Sequence, residues 1–211
     1  MLILIMNNFS LKNKKISALI TVYNNEKYII KCLESLKNQT YKNWEAVIVD
    51  DGSIDKTSKI LKKNCHDKRF KVITLKKNIG RVAAYNYGIS KCKGYYIAVL
   101  DSDDIAAKNR FKEQISFFKK NKEARIVASW AYLIDKNSKK MREMKGPTQK
   151  EKIRETLLFF NFIPHSTVMY CKNYAKKKRV FPLNFKYAID VELYLKFLRH
   201  TDIFIIPKFL G

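Results

Sequence analysis

The chain has 211 residues, of which 29% are charged and 46% apolar, a balance typical of a one-domain protein with a proper core. Lysine and arginine outnumber the acidic residues by 43 to 19, and the net charge of +24 predicts an anionic partner, either phosphate-bearing substrates or an acidic membrane surface. No arginine-rich arm, zinc-ligand spacing or RNA-binding aromatic signature accompanies that charge, so we predict no nucleic-acid partner. The apolar residues 1–6 are too few for a membrane span, and no later run approaches the required length of about 18, so any membrane contact is predicted to be peripheral.

The first half of the chain alternates between two apolar patterns. Buried strands are predicted by the apolar runs at 16–22, 45–49, 70–75 and 95–100. Helices are predicted by the periodic segments at 26–38, 55–64, 80–91 and about 108–121. Four strand–helix units in succession predict an α/β fold, a doubly wound sheet with helices on both faces.

The second half has a less regular pattern. It predicts a strand at 126–134, a basic, turn-rich loop at 135–147, a helix at 151–160, a strand at 166–171, a helix at 190–199 and a short strand at 203–206. Because no repeat or flexible linker separates the halves, we expect the second to pack on the first.

Three carboxylates, Asp101, Asp103 and Asp104, directly follow the strand at 95–100. The carboxyl ends of strands in an open α/β sheet point into a ligand-binding crevice. Neighbouring carboxylates repel one another and raise each other's pKa, a cost that a divalent cation relieves. Mg²⁺ or Mn²⁺ favours one or two carboxylates together with the phosphate oxygens of a substrate. The alternative interpretation is a solvated turn that caps the next helix.

The first strand ends at Thr21 to Tyr23 without the glycines of a dinucleotide-binding turn, and no phosphate-cradling glycine loop occurs elsewhere. A nicotinamide or flavin enzyme is therefore not expected. Side chains must hold the crevice ligand instead, with Tyr23 offering a stacking face and Asp50 or Asp51 accepting from a base N–H. Residues 50–53 could equally form a turn with a helix cap, and residues 78–80 a loop into a helix.

Several segments together resemble the family-2 glycosyltransferases, from about residue 15 to 200. They are Thr21 to Asn24, Val49 to Ser53, Asn78 to Gly80 with Ala84 to Asn86 and Gly88, Leu100 to Asp104, His165 to Met169, and Ala188 to Leu193. The resemblance implies the GT-A fold, a Rossmann-like, mixed and mostly parallel sheet sandwiched by helices. It also implies an inverting enzyme that uses nucleotide sugars.

The resemblance implies a role for each matching residue. The donor would be bound by Thr21, Tyr23, Asn24, Glu26, Asp50, Asp51, Asn78, Gly80, Arg81, Asn86, Asp101 and Ser102. Asp103 would bind Mg²⁺ or Mn²⁺. His165 would line the acceptor side, the alternative being a packed or surface histidine. Asp190 would be the general base, the alternative being a helix N-cap. Residues 1–14 would be an N-terminal extension, 15–122 the donor-binding half and 123–211 the acceptor-binding half.

Two positions depart from the family pattern. Tyr85 stands where an arginine usually precedes the asparagine at position 86, and we hypothesise that Arg81 supplies the missing cation to the diphosphate. Ile189 replaces the carboxylate that usually precedes the base.

The resemblance implies transfer of a sugar from a UDP-sugar to a glycan or lipid-linked acceptor in surface polysaccharide or lipopolysaccharide synthesis. The expected location is cytoplasmic, with peripheral contact at an anionic membrane face. Two alternatives stay open. A nucleotidyltransferase also uses carboxylates and metal on an α/β sheet, although it normally needs a glycine-rich basic loop, and a non-catalytic protein could bind nucleotide sugars or polyanions.

Overall fold

The computed structural model describes residues 14–178 and 180–211, so the predicted N-terminal extension lies almost wholly outside the described residues. The strands are β1 (Ile16–Val22), β2 (Trp44–Asp50), β3 (Phe70–Thr74), β4 (Tyr96–Val99), β5 (Ile126–Ile134), β6 (Lys140–Met144), β7 (Met169–Cys171) and β8 (Ile203–Phe209). The α-helices are α1 (Ile29–Lys37), α2 (Thr57–Asn64), α3 (Arg81–Lys91), α4 (Arg110–Lys120), α5 (Lys150–Phe159), α6 (Lys172–Lys177) and α7 (Ile189–Leu198). A 3₁₀ turn, His165–Thr167, precedes β7.

The described strands form one mixed sheet in the order β3-β2-β1-β4-β7-β5-β6, with β8 paired to β5. Strands β1 to β4 are mutually parallel, whereas β7 runs antiparallel to both of its neighbours, β4 and β5. The chain runs outward from β1 to β3 and then returns to β4 on the other side of β1. This reversal of strand order is the point at which open α/β sheets form their ligand crevice.

Residues of β1 pack into two apolar layers, one on each face of the sheet, which explains why five of its seven residues are apolar. Ile16, Ala18 and Ile20 pack on the face covered by α1, α2 and α4. Leu19 packs on the other face, against α3 and the cluster that includes residues of α5, α6 and α7. The predicted mostly parallel sheet with helices on both faces is thereby confirmed.

The second half differs from expectation in four segments. The predicted loop at 135–147 contains β6, which pairs with β5; four of its five residues are exposed, so no apolar pattern marks it. The predicted strand at 166–171 begins as the 3₁₀ turn, because the Thr167 hydroxyl donates to the carbonyl of Pro164 at 2.8 Å and curls the chain. Helix α6 was not expected, and β8 extends beyond 206 to Phe209.

The helices of the described residues are short. The longest, α3 and α4, have 11 residues each. Across 14–178 and 180–211, none has the length and apolar character needed to cross a membrane.

Candidate active site

A cleft of about 540 Å³ opens at the carboxyl ends of β1, β2 and β4. In β1 and β2, Val22 lies level with Asp50, so the residues that follow both strands emerge side by side. The predicted site residues that line the cleft are Thr21, Tyr23, Asn24, Asp51, Asn78, Gly80, Arg81, Asp101, Ser102 and Asp103. The topology therefore gathers ten of the predicted residues from four separate segments of the chain.

The loop after β1 is fixed to the loop after β2 by Asn24. Its backbone has φ 50°, the left-handed region that asparagine tolerates better than most residues. The side-chain oxygen of Asn24 accepts a hydrogen bond from the backbone N–H of Ile54 at 2.9 Å. The backbone N–H of Asn24 donates to the Ser53 hydroxyl at 3.0 Å. Tyr23, next to it, is left half-exposed at the cleft. Asn24 thus shapes the cleft wall that presents the Tyr23 ring.

The two neighbouring aspartates after β2 have different surroundings. Asp51 faces the cleft and accepts the backbone N–H groups of Ile79 at 2.8 Å and Gly80 at 3.0 Å. Asp50 points into the β2–α2 turn, where it accepts from the Ser53 N–H at 3.0 Å and from the Ser58 hydroxyl. Asp51 therefore fixes the loop before α3 at the cleft, whereas Asp50 stabilises the β2–α2 turn in which it lies.

The acidic loop after β4 brings three carboxylates together in three different states. Asp101 pairs with the Arg81 guanidinium at 3.1 Å. Asp104 accepts a hydrogen bond from the Ser166 hydroxyl, and burial raises the pKa of the Asp104 carboxyl, as do the charges of Asp101 and Asp103. Asp103 is exposed and, among the described residues, no hydrogen bond or ion pair is found for its carboxylate. Asp103 is therefore free to bind a ligand.

This donor set fits a divalent cation that is shared with a substrate. Nowhere between residues 14 and 178 or from 180 onward do three or more His, Cys, Asp or Glu side chains form a metal cage. Mg²⁺ is commonly held by one or two carboxylates and completes its shell with water and substrate phosphate oxygens. The unpartnered carboxylate of Asp103 at the cleft supplies such an anchor.

Two residues that the sequence patterns did not reveal support the acidic loop. The Ser166 hydroxyl accepts the Asp101 backbone N–H at 2.9 Å while donating to Asp104. Beneath the loop, the buried Arg110 guanidinium donates to the carbonyls of Val99 at 2.8 Å and Val168 at 3.1 Å. Burial lowers the pKa of Arg110 to about 9, although the negative charge of Asp104 acts to raise it. Both residues act through contacts distant in sequence, which no local pattern signals.

Asp190, the predicted base, lies in the first turn of α7, and its Oδ2 accepts from the Asn161 side-chain amide at 2.5 Å. The imidazole of His165 is buried, and its Nδ1 hydrogen-bonds the Tyr194 hydroxyl at 3.2 Å. Burial lowers the pKa of His165, whereas the carboxylates of Asp101 and Asp190 both act to raise it. The buried imidazole therefore lies within electrostatic range of both carboxylates, of which Asp101 lines the cleft. The pattern at 161 gave no sign of the Asn161 contact.

The Nε2 atom of His165 is buried without a hydrogen-bond partner among the described residues. Burial also raises the pKa of the Tyr194 phenol, which therefore keeps its proton. No other hydrogen bond of the Tyr194 hydroxyl is found in the described part of the chain. We therefore assign the hydroxyl as the donor and the His165 Nδ1 as the acceptor of their hydrogen bond. That tautomer leaves an N–H donor at Nε2.

Three predicted donor-binding residues, Asn86, Glu26 and Asp50, lie outside the cleft lining. Asn86 makes two hydrogen bonds to the backbone of Leu183, at 2.7 and 3.0 Å, and so fixes the segment that leads to α7. Glu26 accepts the backbone N–H of Lys56 at 2.8 Å, at the start of α2.

Both departures from the family pattern fall in the apolar core. Tyr85 is buried, with its hydroxyl 3.4 Å from that of Tyr170, and Ile189 packs into the same cluster. Neither side chain projects into the cleft, whereas Arg81 does.

Comparison with known proteins bears on this site. A family model described as Glycosyl transferase family 2 matches residues 17–178. An uncharacterized glycosyltransferase of Methanocaldococcus jannaschii is 32% identical over 202 residues, which cover 92% of this chain and 69% of that protein. The O-antigen biosynthesis glycosyltransferase WbnJ of Escherichia coli is 33% identical over 186 residues, which cover 87% of this chain and 71% of WbnJ.

Solved structures show the same architecture. Residues 1–349 of S. aureus TarS in complex with UDP match with a TM-score of 0.76 at 23% identity, over 93% of this chain and 59% of that one. The mannosyltransferase PcManGT from Pyrobaculum calidifontis, in complex with GDP-Man and Mn²⁺, matches with a TM-score of 0.69 at 12% identity, over 97% of this chain and 62% of that one. At such identities the likeness establishes the fold, which is GT-A.

Several relatives are considerably longer than this chain, which spans 58% of an uncharacterized glycosyltransferase of Haemophilus influenzae and 59% of the TarS chain. The matched region nevertheless includes the cleft and the acidic loop, and the family model covers most of the sequence. This chain belongs to glycosyltransferase family 2.

Proposed function

We propose that the protein transfers a sugar, with inversion, from a UDP-sugar to a hydroxyl of a glycan or lipid-linked acceptor in the synthesis of a surface polysaccharide or lipopolysaccharide. The observation that carries this proposal is the exposed Asp103 carboxylate, which lines the cleft with no hydrogen bond or ion pair among the described residues. The Asp190 carboxylate and the cleft residue Asp101 both act on the pKa of the buried His165, which supports a second functional region beside the cleft. The UDP and UDP-GlcNAc complexes of TarS and the O-antigen role in the name of WbnJ support the donor and the product class.

The nucleoside diphosphate occupies the cleft in this proposal. Tyr23 stacks on the base, and Thr21, Asp51 and Asn78 line the wall around it. Asp101 and Ser102 contact the ribose and the donor sugar. Arg81 exchanges part of its ion pair with Asp101 for the diphosphate, because a guanidinium recognises phosphate oxygens well.

Asp103 would hold Mg²⁺ or Mn²⁺ together with the diphosphate. When bound, such an ion neutralises negative charge on the departing nucleoside diphosphate. The Ser166 and Arg110 contacts keep the acidic loop in one conformation, so Asp103 is presented without a large rearrangement.

Asp190 acts as the general base. It takes the proton of the acceptor hydroxyl as the oxygen forms a bond to the anomeric carbon, while the bond from that carbon to the diphosphate oxygen breaks. This single displacement inverts the carbon. Asn161 holds one oxygen of Asp190. His165 lines the acceptor side in this proposal as a buried support, because its Nε2 is enclosed by the protein.

The experiment measures release of nucleoside diphosphate from a panel of UDP- and GDP-sugars, with and without Mn²⁺. Asp103→Asn and Asp190→Asn are each expected to lower turnover by about a hundredfold or more. Asp190→Asn should still bind the donor, whereas Asp103→Asn should lose the Mn²⁺-dependent part of binding. Asp202→Asn, which removes a surface carboxylate paired with Arg154, is the matched control.

Two results would contradict the proposal. Tight donor binding without turnover, in the presence of any tested acceptor, would favour a non-catalytic nucleotide-sugar binder. Release of pyrophosphate from a nucleoside triphosphate would favour a nucleotidyltransferase.

A further inference from the structure

Five exposed apolar side chains gather beside the candidate base. We name them the aromatic rim: Leu158, Phe159 and Phe160 at the end of α5, and Phe185 and Tyr187 in the loop before α7. Phe159 is 86% and Tyr187 76% exposed. Asn161 directly follows Phe160, and Asp190 lies three residues after Tyr187. The 2.5 Å hydrogen bond between Asn161 and Asp190 therefore brings the two segments of the rim together.

The rim is not a displaced part of the core. Helix α5 buries Ile153 and Leu157, so the neighbouring Leu158 and Phe159 point away from the sheet. The loop that carries Phe185 is fixed, because the backbone N–H groups of Asn184 and Phe185 donate to the Glu192 carboxylate at 2.8 and 2.7 Å. Contiguous apolar surface held outward in this way is typical of an interaction site.

The charge around the rim indicates what covers it. Lys186 lies between Phe185 and Tyr187, and the exposed Lys176, Lys177 and Lys178 lead into the same loop. Aromatic side chains interspersed with lysines are typical of surfaces that rest at a lipid headgroup layer. A second copy of the chain is disfavoured, because association would bring two charges of +24 together.

We propose that the aromatic rim docks the protein on an anionic lipid bilayer. The rings of Phe159, Phe160 and Tyr187 enter the headgroup region, and the neighbouring lysines contact the anionic headgroups. Asp190 then opens toward the bilayer surface, where the hydroxyl of a lipid-linked acceptor is presented. The inference uses the proposed function only for the role of Asp190; the docking itself requires no catalysis.

Sedimentation with vesicles of phosphatidylcholine and phosphatidylglycerol in equal parts tests the docking. The triple variant Phe159→Ser/Phe160→Ser/Tyr187→Ser is expected to bind at least about tenfold more weakly than the wild-type chain. The control is Ile54→Ser/Met141→Ser, which removes two exposed apolar side chains elsewhere and should leave binding unchanged. Phe159→Trp, which keeps an interfacial side chain, should bind at least as well as the wild type.

Several outcomes overturn the inference. The triple variant could bind vesicles as the wild type does, or the control could lose binding equally. A lipid-free wild-type dimer that the triple variant dissociates would show that a second copy covers the rim. Donor hydrolysis in water separates this inference from the proposed function: the triple variant should retain the hydrolysis rate of the wild type. Rim-dependent vesicle binding by a protein that turns over no donor would refute the proposed function alone.

Discussion

Arg81 is an exposed cation that pairs with Asp101 at the edge of the cleft. The ion pair between Arg81 and Asp101 is partly solvated, so replacing the Asp101 carboxylate with a diphosphate oxygen costs Arg81 little free energy. Arg81→Ala is expected to raise the dissociation constant for the donor by about tenfold to a hundredfold, the effect of losing one charge-assisted hydrogen bond. Calorimetric titration with UDP measures it. Lys91→Ala, at the other end of the same helix, is the control, and equal affinities for both variants would exclude the role of Arg81.

His165 makes the stability of the fold depend on pH. Burial holds its pKa below the ordinary value of 6.5, so below that pH the unfolded chain binds more protons than the folded one. The stabilisation from the neutral imidazole is therefore complete above about pH 6.5 and is lost as the pH falls. Melting temperatures of His165→Asn should fall less steeply than those of the wild type between about pH 7 and 5. An unchanged slope in His165→Asn would refute this, and the exposed His200→Asn is the control.

The residues that form the cleft could largely be predicted, because a short polar segment after each strand end marks them. Thr21, Asp51, Asn78 and Asp103 all line it. The supporting residues could not be predicted. Arg110 belongs to a helix with an ordinary amphipathic pattern, and nothing local reveals that its guanidinium lies beneath the acidic loop.

At the level of elements, the turn after β2 approaches the loop before α3 very closely. A Cβ on Gly52 would lie 2.6 Å from the Lys77 carbonyl carbon and 2.7 Å from the Asn78 nitrogen, and its φ is +72°. Gly52→Ala should therefore push apart the loops that carry Asp51 and Asn78. We expect a loss of unfolding free energy of about 2–4 kcal/mol, since backbone strain and overpacking add.

Gly80 provides the comparison for that substitution. Its φ is +90°, but a Cβ there would meet nothing within 4 Å. Gly80→Ala should thus cost only the conformational strain, about 1–2 kcal/mol in urea unfolding, with a smaller effect on donor affinity. Equal losses of unfolding free energy in Gly52→Ala and Gly80→Ala would show that the close backbone approach at Gly52 adds nothing to the cost of a Cβ atom.

The elements that the sequence predicted well are those with a buried face. Strand β1 and helix α3 were expected within one residue of their observed ends, because apolar periodicity directly reflects burial. Strand β6 was missed, since its Lys140–Met144 segment is held by pairing to β5 and buries little. Pairing partners are long-range information that a single sequence does not carry.

For the whole molecule, the dominant physical property is the net charge of +24. Binding to anionic vesicles should weaken at least about tenfold as the salt concentration rises from about 0.1 to 1 M, because the screening length shortens from about 10 to 3 Å. Vesicles of phosphatidylcholine alone are the control. Affinity for the anionic vesicles that does not change with salt would show that charge plays no part in the association.

The antiparallel strand β7 has a consequence for how this chain can be divided. It lies between β4 and β5 and bonds to both, and β8 completes the far side of β5. A fragment that stops at residue 178, where the family model ends, would lack β8 and leave one side of β5 without its partner. Exposed strand edges of this kind recruit other chains, so recombinant fragments cut at that boundary should form aggregates, whereas the 211-residue chain should not.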